Sequence, residues 1–595
     1  MTAPMIAGVP MAAFPGAQLS SARQRAEEEV TQMEYSRSTM ISWWKDCAAF
    51  FSPRSPRFEN LPDNRGPHLN RHIIDETPIF ARRTLESGMH WGITNPSRRW
   101  FELKSGDPDL DEDGNASDFL HVSTDRIFSV LSRSNFYDTQ ALAYSDVITY
   151  GTAAYLVEED ERDVINCVPF AIGSFGIADD ARREVTSVSR KFWMTLRQLV
   201  EKFAPEGEDG VRDTSALSMA ALNALEKKEW GQRFQVTHLI SPNEDYDPDY
   251  DLPQHWEFKS CYWETGSLPK NTNKQWLQRG GYREWPVMVF RWRRAQDEPW
   301  GIDSPAMQCL ASAKSLQKME SKGLKLLEKL VDPPMTGPGE LESKSVSILP
   351  GAFTATRDGN VAFKAAHEVR AEGLTHLRED KEAVRQRVHD MFYTRLMMLI
   401  ANDTRKERPT AREVEEGSQE KYLVLGSVLE SFNGTFKRFI DRVYNIMDRR
   451  GFIPEAPEEL GGVPLQVEYT SIMAVAQKSV GLANIERFGS FVAEMIAATA
   501  DPRMAAKIDW GEYVDALASR SGLPPGMIRS NEDVDAILEQ QAAAADQERQ
   551  AALMEQEAAA MKDMSETPLG GNNAMTALTN ASQQGSLGAG IGAPA

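Results

Sequence analysis

The run VMVFRWRRAQDEPWGIDSPAMQCLASAKSLQKM, Val287–Met319, marks a change of texture in this chain. It begins inside EWPVMVFRWRR (284–294), which reads as a strand. Past Pro299 and Gly301 the apolar period lengthens to that of a helix. Ser304 to Val331 read as one long helix, with Leu324, Leu327 and Val331 on one stripe and DPP (332–334) as its stop. Helices and strands are mixed before this point, and long helices dominate after it.

Upstream, 22–50 reads as a helix with Glu27, Glu28 and Glu29 near its start and Trp43 and Trp44 near its end. A second helical pattern covers 71–92, RRWFELKSG (98–106) is extended, and GDPDLDEDGNAS (106–117) is an acidic loop. Ser117 is the expected N-cap of a helix that aligns Leu120, Ile127, Val130 and Leu131 on one face. A helix from Phe136 to Tyr150 stops at Gly151. The strands expected next are TAAYLVEED (152–160), NCVPFAIG (166–173), VTSVSRKFWM (185–194), FQVTHLIS (234–241) and EFKSCYWETG (257–266), with a helix near Leu196–Phe203. Mostly antiparallel strands interleaved with helices in this way predict an α+β region.

Downstream, 335–364 is rich in Pro, Gly and short extended runs. Leu377, Val384, Val388, Met391 and Leu399 then recur near heptad spacing. A basic knot follows, Arg405, Lys406 and Arg408, beside Pro409 and Thr410. From Ala411 a helix of about 60 Å, at ~1.5 Å per residue, carries Leu425, Leu429, Phe432, Phe436, Phe439, Val443 and Ile446 on one stripe. Arg449, Arg450 and Gly451 end it. The stretch 532–564 is alanine-rich with few large apolar residues, so it is expected to be exposed or packed against copies of itself. After Glu566 no charged residue remains, and 567–595 is expected to be disordered.

The chain has 595 residues, and 87 acidic against 66 basic side chains give it a formal charge of -21. That balance argues against a protein that coats nucleic acid over its whole surface, but leaves room for one locally basic element. Cys47, Cys167, Cys261 and Cys309 are scattered without C-x-x-C spacing, which favours free thiols in a reducing compartment. The N-terminal stretch lacks a basic leader and is cut by Pro4, Pro10 and Pro15, and no run is long and apolar enough to span a bilayer. A soluble, cytoplasmically made protein is the expectation.

Motifs for chemistry are sparse. Asp109, Asp111, Asp113 and Gly114 open like a calcium loop, but Leu120 stands where the bidentate carboxylate is needed. His68 and His72 have a metal-compatible spacing, yet Leu69 replaces the glutamate of the zincin pattern. There is no phosphate loop and no nucleophile elbow. No cofactor and no metal are expected. The alternative to a non-catalytic protein is a large cytoplasmic α+β enzyme with an unrecognised site.

Six phrases, in order, resemble the portal or head-to-tail connector proteins of short-tailed double-stranded DNA bacteriophages. They are IIDETPIFARRTLESGMHWGITNPSRRWFELK (73–104), SNFYDTQALAYSDVITYGTAAYLVEED (134–160), RKFWMTLRQLVEKF (190–203), the opening run 287–319, RPTAREVEEGSQEKYLVLGSVLESF (408–432) and VEYTSIMAVAQKS (467–479). Trp300-Gly301-Ile302-Asp303 departs modestly from the family's Tyr-Gly-Arg form.

The resemblance implies a portal fold. A wing would occupy 1–303, a first stem helix 304–331, a clip 332–373 and a second stem helix 374–400. A tunnel loop would occupy 401–410, a long wing helix and strand 411–469, and a helical crown 470–566, with a disordered tail 567–595. It further implies a homo-oligomeric ring, typically a dodecamer, at one capsid vertex of the virion, through which double-stranded DNA is packaged and ejected without regard to sequence. The implied partners are the terminase large subunit, tail adaptor or nozzle proteins, and capsid and scaffold proteins, with no membrane. Arg405, Lys406 and Arg408 would then line the DNA channel.

Overall fold

The computed structural model describes residues 21–53, 73–107, 110, 114–206, 212–267, 275–296, 298–331, 335–336, 364–365, 372–402, 411–460 and 465–470 of one unit, Met1–Val480. Of the second unit, Gly481–Ala595, it describes 488–492, 495, 511, 513–514, 531–566, 568–569 and 572–573.

The first unit is built around two antiparallel sheets. Helices α1 (Ser21–Phe51) and α2 (Thr77–Ile93) lead into β1 (Phe101–Lys104), followed by α3 (Gly114–Arg133) and α4 (Phe136–Tyr150). Strands β2 (Thr152–Asp160), β3 (Val164–Pro169), β4 (Phe175–Asp179) and β5 (Val185–Thr195) come next. Then follow α5 (Leu196–Phe203), α6 (Met219–Glu226), β6 (Arg233–Pro242), β7 (Phe258–Glu264), β8 (Gln278–Tyr282) and β9 (Val287–Arg291). One sheet has the order β3-β2-β9 and the other β4-β5-β6-β7-β8.

Beyond β9 the helices lengthen as the sequence predicts: α7 (Pro305–Val331), α8 (Glu372–Met391), α9 (Thr394–Asn402) and α10 (Ala411–Arg449). Between α7 and α8, Met335–Thr336 pairs antiparallel with Lys364–Ala365. The strand Gln466–Tyr469 returns to pair with β1, Phe101 opposite Tyr469. In the second unit α11 (Asn531–Glu566) is exposed at nearly every described side chain.

The stripe on α10 organises the core. Phe432, Phe436, Phe439, Ile440, Val443 and Ile446 are fully buried. Phe439 stacks on Phe136 of α4 at 4.6 Å and meets Tyr155 of β2 edge-on at 6.2 Å. Phe436 lies 5.2 Å from both Trp100 and Phe290, so one helix touches the entry to β1 and the three-stranded sheet together. Each such ring contributes ~1.5–3 kcal/mol by burial alone.

Gly151 and Gly301 lock the turn into α7. Gly151 is the left-handed C-cap of α4 (φ 76°), donating to Val147 O. A Cβ on either glycine would sit within 2.4 Å of the other's carbonyl oxygen, so only two glycines allow the backbones to approach this closely. Gly301 N–H donates to Thr152 Oγ1 at 2.8 Å, and the Ser304 hydroxyl accepts from Met307 N–H at 3.3 Å as a cap for α7. The phrases YGTA (150–153) and WGIDSP (300–305) are thus two halves of one contact.

Helix α1 joins the five-stranded sheet to the main core. Arg23 lies over Trp263 (4.6 Å) and Trp276 (5.4 Å) on the five-stranded sheet, while Trp44 meets Trp300 at 5.0 Å in the main core.

Some expectations need correction. The acidic turn before α3 is already helical from Gly114, so Ser117 lies inside that helix and is not its cap. The pattern starting at Arg71 becomes described helix only at Thr77, where Pro78 can occupy the first turn. The heptad-like run near 374–399 is two helices, broken at Tyr393, whose φ is 50°. Strands β4 and β8 and helix α6 are further elements that the sequence pattern did not reveal. Within 567–595 Pro568–Leu569 pairs with Asn572–Asn573. The calcium-like carboxylates Asp109, Asp111 and Asp113, and His68 and His72, lie outside the described residues.

Phe436→Ala should lower unfolding stability by about 3–5 kcal/mol. Phe452→Ala, at a ring that is 46% exposed just past the same helix, should change it by no more than about 0.5–1 kcal/mol. Denaturant titration of both variants checks the contrast.

Candidate functional site

The predicted contact residues Arg405, Lys406 and Arg408 lie outside the described residues, between α9 and α10. What the structure describes is the mounting of the two helices that flank them.

The approach to them begins at Asp75, two residues before α2, where α7 and α8 are held. Gln317 of α7 accepts from the Ile74 and Asp75 N–H groups through Oε1 (2.7 and 2.9 Å) and donates from Nε2 to Asp75 O at 2.7 Å. The Asp75 carboxylate accepts from Thr77 N–H at 2.8 Å and from Arg385 Nε of α8 at 2.9 Å. Arg385 also reaches Glu320 of α7 at 2.9 Å, and Lys381 reaches the same carboxylate at 2.8 Å. Asp75 and Gln317 are both buried. A single polar cluster therefore clamps the entry of α2 to both long helices.

The approach of α7 to α8 is close because Gly323 has no side chain. A Cβ there would meet Lys381 Nζ at 2.6 Å. Burial opposes ionisation of Asp75, but the Thr77 and Arg385 hydrogen bonds outweigh it and hold the carboxyl below its usual range. The hydrogen bond to Asp75 raises the Arg385 guanidinium.

Beyond the break at Tyr393, α9 seats on α2. Leu396 and Met397 are buried, and a Cβ on Gly88 would sit 2.3 Å from Met397 Sδ, so the glycine is the notch that receives this methionine. Phe392, at the end of α8, lies 5.5 Å from Phe51. The chain is thus packed against α2 as far as Met397.

On the far side, α10 is anchored at its C-terminal end. Arg442, almost wholly buried, donates to Val157 O at 3.0 Å and to Glu284 at 3.0 Å, and lies 5.3 Å over the Tyr282 ring. Arg449 joins Glu284 and Glu159, placing cations where the helix dipole favours them. Burial pulls the Arg442 pKa down, and Glu284 opposes that pull.

Groups capable of chemistry are placed as structural elements. Burial pushes the thiols of Cys47, Cys167 and Cys309 up to about 12 and that of Cys261 to about 11, far from the thiolate a nucleophile needs. His238 is held well below its usual pKa by burial, then by Arg190 and Lys202, and is stacked on Tyr262 at 3.7 Å. Among the described residues no three His, Cys, Asp or Glu side chains are grouped to hold a metal, and no helix is long and apolar enough to cross a membrane. A cavity of about 340 Å³ between α1 and the 294–299 loop is lined by Glu29, Asp179, Arg183 and Arg294, and its Asp179 is tied to Arg291 at 2.8 Å.

Sequence reasoning passed over the Asp75 clamp. The signal available was Asp75-Glu76-Thr77-Pro78, a helix-entry pattern, but its partners Gln317, Glu320, Lys381 and Arg385 lie more than 200 residues away.

Because the folded pKa of Asp75 lies below its unfolded value near ~3.9, its contribution is complete above that pH and is lost as the pH falls through the lower folded value. Asp75→Asn should cost about 1–2 kcal/mol at neutral pH. Between about pH 4 and pH 2 the gap between variant and wild type should close. Chemical denaturation across that range checks it, and a gap independent of pH would contradict the clamp.

The model of the family described as "Bacteriophage head to tail connecting protein" matches residues 23–528. The chain is 33% identical over 562 residues to the portal protein of Salmonella phage epsilon15, covering 94% of this chain and 98% of that one. It is 30% identical over 553 residues to a protein described as a probable portal protein of Bordetella phage BPP-1, covering 92% and 96%. Among solved structures it aligns with a chain in the neck of an empty gene transfer agent particle, with a TM-score of 0.36, 10% identity, and coverage of 76% of this chain and 94% of that one. The family match spans the α+β region, the clamp and all of α7 to α10, and on that evidence this chain belongs to the bacteriophage head-to-tail connecting proteins.

Proposed function

We propose that the chain is the subunit of a phage portal, a non-catalytic ring at the head-tail junction of the virion that serves as the conduit for packaging and ejecting double-stranded DNA. Family membership and the two portal relatives support the role. The large-enzyme alternative finds no support among them.

One observation carries the ring. On the distal half of α7, Leu324, Leu327 and Leu330 are between 41% and 49% exposed and Val331 is 80% exposed. On α11, Leu553 and Met554 are 58% and 71% exposed. The apolar row at helical spacing on α7, and the adjacent apolar pair on α11, left uncovered by a single chain, are surfaces for copies of that chain. We read 1–303 as wing, 304–331 and 374–400 as stem, 332–373 as clip, 411–469 as the long wing helix and strand, and 470–566 as crown.

The basic knot fits a tunnel loop at 401–410. Arg405, Lys406 and Arg408, repeated around a ring, would touch phosphates without reading sequence. The large terminase subunit would dock on the clip, and tail adaptors, capsid and scaffold proteins would contact the remaining surfaces.

Light scattering on the purified chain should give a mass near twelve times its 66.5 kDa. Combined L324S, L327S and V331S substitutions should leave a folded chain with native circular dichroism but no stable ring. A purely monomeric wild type, or rings indifferent to the triple change, would refute the ring surface.

Combined R405Q, K406Q and R408Q substitutions should leave rings intact, since exposed charges contribute only about 0–1 kcal/mol. The variant should lower the DNA content of assembled particles, with an effect that shrinks as salt rises. Failure of assembly, with normal DNA in the surviving particles, would make the knot an interface element instead.

A further inference from the structure

We propose that α7 carries a second DNA-contacting element, a row formed by Lys318, Lys322, Lys325 and Lys329 that binds duplex phosphates. The proposal rests on the conduit reading and adds to it a surface on the first stem helix. These lysines follow one another at intervals of four, three and four residues, which keeps them on one side of a helix with ~3.6 residues per turn. All four are exposed. Lys314 begins the same row nearer the core and is paired with Asp46 at 2.6 Å. The four beyond it have no ion-pair partner among the described residues.

The helix sorts its charges by face. Glu320 and Gly323 point to α8, where Lys381 and Arg385 neutralise the carboxylate. The lysine row lies on the opposite side, away from α8. Glu328 is the one carboxylate of α7 at its edge. Clustering four unpaired cations on a chain of net charge -21 costs self-repulsion that a polyanion would relieve.

The shape of the row favours DNA over an acidic protein. From Lys318 to Lys329 it runs ~16 Å, a length of duplex carrying about ten phosphates at one charge per ~1.7 Å of axis. The exposed leucines of α7 lie on the other side of the helix, so the row lacks the apolar anchor that a protein hot spot uses. Lysines are compact charges on flexible stems, suited to backbone contact without base readout.

The test uses rings of the full chain and a labelled duplex of about 30 base pairs, titrated between about 50 and 200 mM salt. The quadruple variant K318Q/K322Q/K325Q/K329Q is compared with wild type and with a charge-matched control, R162Q/R197Q/K227Q/K228Q, at exposed positions on α5 and on two turns. Glutamine has nearly the helix propensity of lysine, so rings should persist. The stem variant should bind at least ~10-fold more weakly at low salt, with a log–log salt slope shallower by at least ~1. The control should match wild type.

Stem-variant rings that bind duplex as wild type does would overturn the proposal. If those rings also fail to yield filled particles, the row docks a protein. Loss of rings in the stem variant alone would make the row a subunit interface and would equally overturn it. Wild-type rings without salt-dependent affinity for duplex would refute the conduit's DNA contact itself, a failure visible before any variant is compared.

Discussion

Phe432, Phe436 and Phe439 on α10 constrain the whole first unit, because the ring contacts they make come from segments distant in sequence. Trp100 precedes β1, Phe136 opens α4, Tyr155 lies on β2 and Phe290 on β9. Displacing α10 would separate the three-stranded sheet from α4 and from β1. The strand after α10 then pairs with β1, so the helix is bracketed by the elements it packs. Aromatic pairs of this kind add ~0.5–1.5 kcal/mol each beyond burial, and their geometry fixes the angle of the helix.

The Gly151–Gly301 contact and the Asp75 clamp transmit that fixed frame to the long helices. The glycines bring the end of α4 and the turn before α7 to van der Waals contact, which sets where α7 begins. The clamp sets how α7 and α8 lie against α2. It is polar because backbone N–H groups at a helix entry must be satisfied, and Gln317 does this from another helix. Arg442 performs a comparable task at the other end of α10, where its buried charge is tolerable only with Glu284 and Val157 O in place.

Charge placement separates surface from joint. Carboxylates and guanidinium groups in the joints are paired, whereas Lys318, Lys322, Lys325 and Lys329 on the outer face of α7 have no ion-pair partner among the described residues. Apolar residues follow the same division, buried on α10 and uncovered on the far half of α7 and on α11. A single chain therefore leaves both a cationic row and apolar side chains uncovered.

Much of the fold was legible because it rests on local periodicity. The stripe of α10, the strand runs of β2 and β5, the stop at Gly151 and the short helix α5 all depend on residues a few positions apart. Family membership was legible for the same reason, as ordered local phrases. The sequence alone also determined the basic knot and the acidic balance, which are matters of composition. The tertiary structure alone decided which phrases touch. That Gly151 faces Gly301, that Asp75 meets Gln317 and Arg385, and that Gly88 receives Met397 are contacts across long separations that no periodicity encodes. The break at Tyr393 was hidden because a left-handed tyrosine carries no sequence mark; packing of α9 on α2 holds it there. The exposure of Leu324, Leu327 and Val331 was equally invisible, since an apolar stripe looks the same whether its own chain or a neighbour will bury it.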